Sequence, residues 1–303
     1  MNENKNFRSG FITIIGAPNA GKSTLMNRIV GQKISIVSAR AQTTRNKIMG
    51  VYNGKTDEFS YQMIFIDTPG VTTPKNRLGE YMVSVAYEAL NEVEAVLFII
   101  DPTIGIKEKD ELILERLARS KSPVLAIINK TDISSALDVE KIKETLSEKP
   151  FIKKVFSISA IDGYGVDTLI DELTVYMVEG PMYFPEDMVT SVPERFICSE
   201  MIREKALEFL RDEIPHGVGV DIDAFKYREE KDLVDISATI YCERESHKGI
   251  IIGKKGDMIK KIGTHARIDM EWLLGSKVNL QLYVKVKPDW RNSISILNEL
   301  GYN

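Results

Sequence analysis

Cysteine and histidine are nearly missing from this 303-residue sequence: Cys198 and Cys242 stand far apart with no C-x-x-C spacing, and there are three histidines. A disulfide framework and a Cys/His zinc site both fit poorly, which leaves buried small thiols in a reducing compartment as the expectation. No apolar run approaches the ~20 residues that a membrane-spanning helix needs. The opening Met1-Asn2-Glu3-Asn4-Lys5-Asn6 has no signal-peptide pattern, and the closing Gly301-Tyr302-Asn303 has no prenylation box. A cytoplasmic protein is therefore expected. Neither sign of charge prevails, with 40 Lys/Arg against 44 Asp/Glu and a net charge of −4. At 43% apolar and 28% charged residues, the composition speaks against disorder. It is that of a soluble chain long enough for two domains, each with its own core.

What is present begins with Gly16-Ala17-Pro18-Asn19-Ala20-Gly21-Lys22-Ser23-Thr24, directly after the apolar strand pattern Phe11–Ile15 and opening the periodic helix pattern Thr24–Val30. Such a GxxxxGKS loop surrounds a polyanion with backbone N–H groups, which Gly16 and Gly21 permit by lacking a Cβ, and the helix adds the positive end of its dipole. Lys22 is placed to reach β and γ phosphates, and Ser23 to ligate Mg²⁺. Asp67-Thr68-Pro69-Gly70 follows the strand pattern Gln62–Ile66. Asp67 would hold Mg²⁺ through water, and the Gly70 N–H can swing to meet a γ phosphate. Between these motifs lies the polar stretch Arg40-Ala41-Gln42-Thr43-Thr44-Arg45-Asn46, where the hydroxyl of Thr43 or of Thr44 could complete the Mg²⁺ shell. Lys22, Thr43, Thr44, Asp67 and Gly70 form the candidate catalytic set.

Base choice rests on Asn129-Lys130-Thr131-Asp132, after the buried-strand pattern Val124–Ile128. The Asp132 carboxylate can accept from the N1–H and N2–H₂ donors of guanine, a pair that adenine lacks. Asn129 would tether the loop, and the Lys130 stem would cover the base. Ser157-Ile158-Ser159-Ala160 resembles the short loop that contacts the guanine oxygen in GTPases, which adds Ser159 and Ala160 to the nucleotide-binding candidates. Val71 stands where many GTPases carry a water-orienting Gln, so intrinsic hydrolysis is expected to be slow.

Up to residue 176 apolar strands (10–15, 48–54, 60–66, 95–100, 124–128, 154–157) alternate with helices (near 22–30, 79–91, 107–120, 138–148, 165–176). This is an α/β pattern that gives a mostly parallel sheet with flanking helices and ligands at the carboxyl ends of the strands. A Pro/Gly-rich connector at 177–193 then marks a boundary. Beyond it, 194–303 opens on a helix, Glu194–Ile214, whose mixed Glu/Lys/Arg face reads as solvated rather than membrane-bound. Two alternating strands follow, 217–223 and 233–242, and then Lys248-Gly249-Ile250-Ile251-Ile252-Gly253-Lys254-Lys255-Gly256-Asp257-Met258-Ile259-Lys260-Lys261-Ile262-Gly263. This segment resembles the KH module, in which a GxxG turn approaches the sugar-phosphate chain of a single strand and clamps about four nucleotides. Ile252, Gly253, Lys254, Lys255, Gly256, Lys260 and Lys261 are the RNA-binding candidates. From Lys248 to Arg291 there are ten Lys/Arg against four Asp/Glu, a local basic patch on an acidic chain. A last alternating strand, 277–287, closes the module. Trp290 is either a base-stacking side chain or, more often for such a position, a cap on the core.

Taken together, GAPNAGKST, AQTTR, DTPG, NKTD, the connector EGPMYFPEDMVT, PERFICSEMIREK and GIIIGKKG resemble the Era family over essentially the whole chain. The resemblance implies a P-loop GTPase domain (1–176), a linker (177–193) and an α+β type II KH domain (194–303). It implies GTP hydrolysis with Mg²⁺ and binding of the 3′ end of small-subunit ribosomal RNA. A role in maturation of the small ribosomal subunit, some peripheral membrane association and a monomeric working species complete the expectation. GTPases similar to this one with an Asn in the phosphate loop can recruit K⁺, which makes Asn19 a candidate K⁺ ligand.

Overall fold

The computed structural model describes residues 7–302 apart from Ala39, Ala41 and the side chain of Glu229. The signal-peptide reading and the Ala41 position of the Arg40–Asn46 stretch lie outside the described residues. The chain divides into two compact units. The first holds the described residues up to Ser35, Thr44–Thr73 and Met82–Ser191; the second holds Ile36–Thr43, Pro74–Tyr81 and Val192 onward.

In the first unit the elements are β1 (Phe7–Gly16), α1 (Lys22–Val30), β2 (Ile48–Lys55), β3 (Ser60–Asp67), α2 (Arg77–Glu88, whose first turn groups with the second unit), β4 (Ala95–Ile100), α3 (Glu108–Leu117), β5 (Val124–Ile128), α4 (Ala136–Ser147), β6 (Ile152–Ser157), α5 (Val166–Leu173) and β7 (Val178–Glu179). The sheet runs β2-β3-β1-β4-β5-β6. It is parallel except for β2 against β3 and the short β7 against β1. Ala95–Ile100 and Val124–Ile128 are buried on both faces, which is why these all-apolar runs take the centre. Val96, Phe98, Ile100, Ala126 and Ile128 meet Ile113, Leu114 and Leu117 of α3 and Ile142 and Leu146 of α4 in one core.

The Pro/Gly-rich connector turns out to be pinned rather than free. The Gln62 amide exchanges hydrogen bonds with the Phe184 backbone, Val51 N–H donates to Val189 C=O at 2.9 Å, and Thr190 bridges to Gly50. The connector thus covers the open edge of β2, which would otherwise offer unpaired backbone groups.

The second unit is built from α6 (Glu194–Phe209), β8 (Gly219–Arg228), β9 (Leu233–Cys242), α7 (Glu245–Ile252), α8 (Asp257–Leu274), β10 (Lys277–Val286) and α9 (Ile294–Glu299). Its sheet order is β10-β9-β8, with β8 antiparallel and β10 parallel to β9. Parallel β9 and β10 need a crossover, and α7 and α8 supply it. Met201, Ile202 and Ala206 of α6, Ile236, Ala238 and Ile240 of β9, and Ile262, Ala266 and Met270 of α8 form the core. Cys198 and Cys242 are free and buried in it, and burial pushes the Cys198 thiol up to about 12. Among the described residues no helix is long and apolar enough to cross a membrane.

Several expectations change here. The first helix of this unit stops at Phe209, not Ile214, because Leu210 turns extended and Pro215 opens a separate 3₁₀ turn, Ile214–Gly217. The short α9 carried no sequence signal. Trp290 is fully buried, donates Nε1–H to Gly217 C=O at 2.9 Å and stacks on Tyr302, so it caps the core and offers no face to a base.

The mixed charged face of α6 is the largest correction. Glu200, Arg203 and Glu204 are buried, not solvated. Arg203 Nε donates to Glu200 Oε1 at 2.6 Å, and its Nη2 reaches Glu200 Oε2 and the Thr43 carbonyl. Val37 N–H donates to Glu204 Oε1 at 2.8 Å, and the Arg40 guanidinium donates to Leu210 C=O at 2.5 Å. A segment far away in sequence, 36–43, therefore covers the face that periodicity assigned to water. Removing one member of a buried pair strands the other charge at a cost of roughly 3–5 kcal/mol. Arg203→Ala is therefore expected to lower the unfolding free energy, measured by denaturant titration, by that order, and Arg203→Ala/Glu200→Ala to recover a good part of it in a double-mutant cycle.

Candidate nucleotide site and nucleic-acid surface

The carboxyl ends of β1, β3 and β5 bring the motifs of the first unit together. Gly21, the N-cap of α1, provides no side-chain cap, and the first turn has no acidic residue. The orphan N–H groups there are left for an anion. Lys22 is buried, its Nζ donating to Gly16 C=O at 3.1 Å and Ala17 C=O at 2.8 Å. Burial brings its ammonium down to about 8, against the opposing pull of Asp67 and Asp110.

Ser23 Oγ donates to Asp67 Oδ2 at 2.6 Å and lies 2.9 Å from Thr44 Oγ1. Ser35 Oγ donates to the same Asp67 oxygen at 2.7 Å. Burial raises the Asp67 carboxyl, partly offset by the hydrogen bonds from Ser23, Ser35 and Thr44 and by the charge of Lys22. The other oxygen, Asp67 Oδ1, is buried without a hydrogen-bond partner, as expected of a group that awaits a cation or its water. Two hydroxyls and a carboxylate are the hard oxygen donors that suit Mg²⁺. Of the two threonines, only Thr44 lies here. Thr43 donates its hydroxyl to Arg40 C=O at 2.7 Å, and its carbonyl accepts from Arg203.

The loop after Asp67 is laced to the phosphate loop. Thr68 Oγ1 donates to Ile14 C=O at 2.8 Å and Val71 N–H to Gly16 C=O at 3.2 Å. Val71 is buried in the core, so its side chain orients no water. Gly70 faces Pro18 so closely that a Cβ would sit 2.7 Å from Pro18 Cα.

On the base side, Asn129 Nδ2 donates to Ala20 C=O and its Oδ1 accepts from Ala160 N–H, each at 2.9 Å. Ser159 Oγ donates to Asp132 Oδ1 at 2.8 Å, orienting that carboxylate. Lys130, at φ 60°, pairs its Nζ with Asp101 Oδ2 at 2.6 Å. Burial would raise the Asp101 carboxyl, but the hydrogen bonds from Lys130 and Thr103 outweigh it and hold it low. Asp101 and Ser35 were missed in the sequence. Asp101, at the end of the apolar run Ala95–Ile100, was the more findable.

In the second unit Gly253 ends α7 with φ +76°, where a Cβ would meet Met258 N at 2.8 Å. Lys254 and Lys255 project exposed from the turn. Beside it a groove of 270 Å³ is lined by Ile259, Lys260, Gly263, Thr264, Arg267, Leu280 and Leu282. Lys260 lies on this groove. Lys261 does not, since its ammonium sits 4.1 Å over the Phe209 ring of α6. Arg267, Leu280 and Leu282 went unnoticed because the groove forms only when β10 is laid beside α8.

The family model for the 50S ribosome-binding GTPase matches residues 11–130, and that for the KH domain matches 213–291. The chain is 51% identical to the GTPase Era of Alkaliphilus oremlandii over 297 residues, 98% of this chain and 99% of that protein. It is 51% identical to the GTPase Era of Caldicellulosiruptor saccharolyticus, with 98% of each chain covered. The chain belongs to the Era family of GTPases. Two solved Era structures superpose with TM-score 0.90 at 39% identity: an Aquifex aeolicus Era variant bound to GDP and AlF₄⁻, covering 97% of this chain and 99% of that one, and an Era in complex with MgGDPNP and nucleotides 1506–1542 of 16S ribosomal RNA, covering 98% and 99%. This Era-family chain is a GTPase with a C-terminal KH domain.

Gly70→Ala is expected to press the 68–71 loop off the phosphate loop and, on the expectation that the Gly70 N–H meets a γ phosphate, to cost a charge-assisted contact to a group that GDP lacks. Such a bond contributes roughly 1.5–3 kcal/mol. Single-turnover GTP hydrolysis should fall about tenfold or more, with GDP affinity, measured by calorimetry, left nearly unchanged.

Proposed function

We propose that this GTPase is a switch that grips the 3′ end of small-subunit ribosomal RNA and acts in maturation of the small subunit. The observation that carries this reading is the presence in one chain of the Ser23–Thr44–Asp67 cluster and of an exposed Lys254–Lys255 turn beside a half-apolar groove. The relative solved with a 16S ribosomal RNA fragment supports it. Ser23, Thr44 and Asp67 would hold Mg²⁺, which when bound neutralises charge on the phosphate oxygens. Lys22 meets the β and γ phosphates, Gly70 N–H reads the γ phosphate, and Asp132, oriented by Ser159, reads guanine. Asn129 and Ala160 complete the base side. Segments 36–43 and 74–81 group with the unit that carries the KH module. Ordering of the Arg40–Asn46 and Thr68–Arg77 loops by GTP would link nucleotide and RNA affinities, and that linkage is reciprocal. Asn19, held at φ 65°, is assigned to a K⁺ whose charge acts where an arginine finger otherwise would. The site of action is the cytoplasm, with membrane contact peripheral.

The test is crosslinking in cells with sequencing of bound RNA, comparing wild type with Gly253→Asp and with the milder Lys254→Glu/Lys260→Glu. Enrichment of small-subunit RNA that both variants lose is the expected result; random RNA in all samples would leave only the GTPase. For the K⁺ assignment, GTP turnover should be faster in K⁺ than in Na⁺ at equal ionic strength, and equal rates would remove it.

A further inference from the structure

At the end of the first unit opposite the nucleotide motifs, where β4 and β5 begin, lies a cavity of 560 Å³ that the GTPase chemistry does not use. It is lined by the end of α2 (Tyr87, Leu90, Asn91, Glu92) and by Arg116, Arg119, Ser120, Lys121 and Ser122 between α3 and β5. Ser120 Oγ donates to Ser122 C=O at 3.1 Å and Ser122 Oγ to Val93 C=O at 2.6 Å, so the hydroxyls are spent on fixing the loop. Arg116 lies over the Tyr87 ring at 5.6 Å. Arg119 and Lys121 have no ion-pair partner among the described residues, and Glu92 is the one carboxylate in the lining. Arg116, in the last turn of α3, has a structural role there, because cations favour a helix C-terminus. Arg119 and Lys121 lie beyond that helix and are exposed.

We propose that Arg119 and Lys121, with Arg116 behind them, are a second contact for the phosphate backbone of RNA, separate from the KH groove. Leu90 and Tyr87 are too little apolar surface for the core of a protein–protein interface. Clustered cations around a polar concavity are instead what backbone recognition requires. The inference rests on the RNA-binding reading above. Each phosphate contact contributes about 0.7–0.9 to the slope of log K against log[salt]. Arg119→Gln/Lys121→Gln in the full-length protein is therefore expected to reduce that slope by about 1.5 and to weaken binding roughly tenfold at physiological salt. The probe is a protein-free 3′ fragment of small-subunit ribosomal RNA with GTP analogue and Mg²⁺ present. A four-nucleotide strand, the length that a KH groove clamps, should bind unchanged, and GTP turnover should not move.

An unaltered slope with the long RNA would overturn the proposal. So would equal weakening for the short strand, which would mean a general field effect. A defect seen only with intact small-subunit particles would also overturn it, because the occupant would then be a protein. If wild type binds neither RNA, the RNA-binding reading itself fails, a result distinct from a wild type that binds and a variant that matches it.

Discussion

The nucleotide site depends on one buried side chain, Asn129. Its amide nitrogen holds the phosphate loop through Ala20, and its amide oxygen holds the 158–160 loop through Ala160. The phosphate loop follows β1 and the 158–160 loop follows β6, two strands that β4 and β5 separate in the sheet, and nothing in local backbone preference fixes the distance between them. A single planar amide does so because it is donor and acceptor at once. The space around it is already taken: a Cβ on Gly21 would lie 2.1 Å from Asn129 Nδ2.

A second constraint is the cluster around Asp67. The carboxylate is buried, and three hydroxyls, from Ser23, Ser35 and Thr44, converge on it or on each other. A buried anion with one satisfied and one orphaned oxygen is costly in the absence of a cation. The site is therefore built to bind rather than to stabilise the fold. Val71 belongs to the opposite class, since it links the 68–71 loop to Gly16 by its backbone and gives its side chain to the core.

The KH unit shows the same division. Its core of alternating Ile and Ala is ordinary, whereas α6 is lined on a further side by segment 36–43, through the Arg203–Glu200 pair and the Thr43 carbonyl. A helix covered on more than one side shows little apolar periodicity, because some of its buried positions are charged and paired instead. For that reason Arg203 and Glu204 read as surface residues until the fold placed Val37 and Thr43 against them.

Much of this protein was open to reading from residue order alone, where chemistry is local. The phosphate loop, DTPG, NKTD and the GxxG turn each need particular residues at short fixed spacing, and the strands that carry them alternate or run apolar for the length of the sheet. Tertiary structure alone decided that Thr44 and not Thr43 meets Ser23, that Lys260 and not Lys261 lines the groove, that Asp101 restrains Lys130, and that the connector seals β2. Each of these turns on which way a side chain faces or on which distant backbone reaches it, and such choices are set by long-range packing rather than by neighbours along the chain.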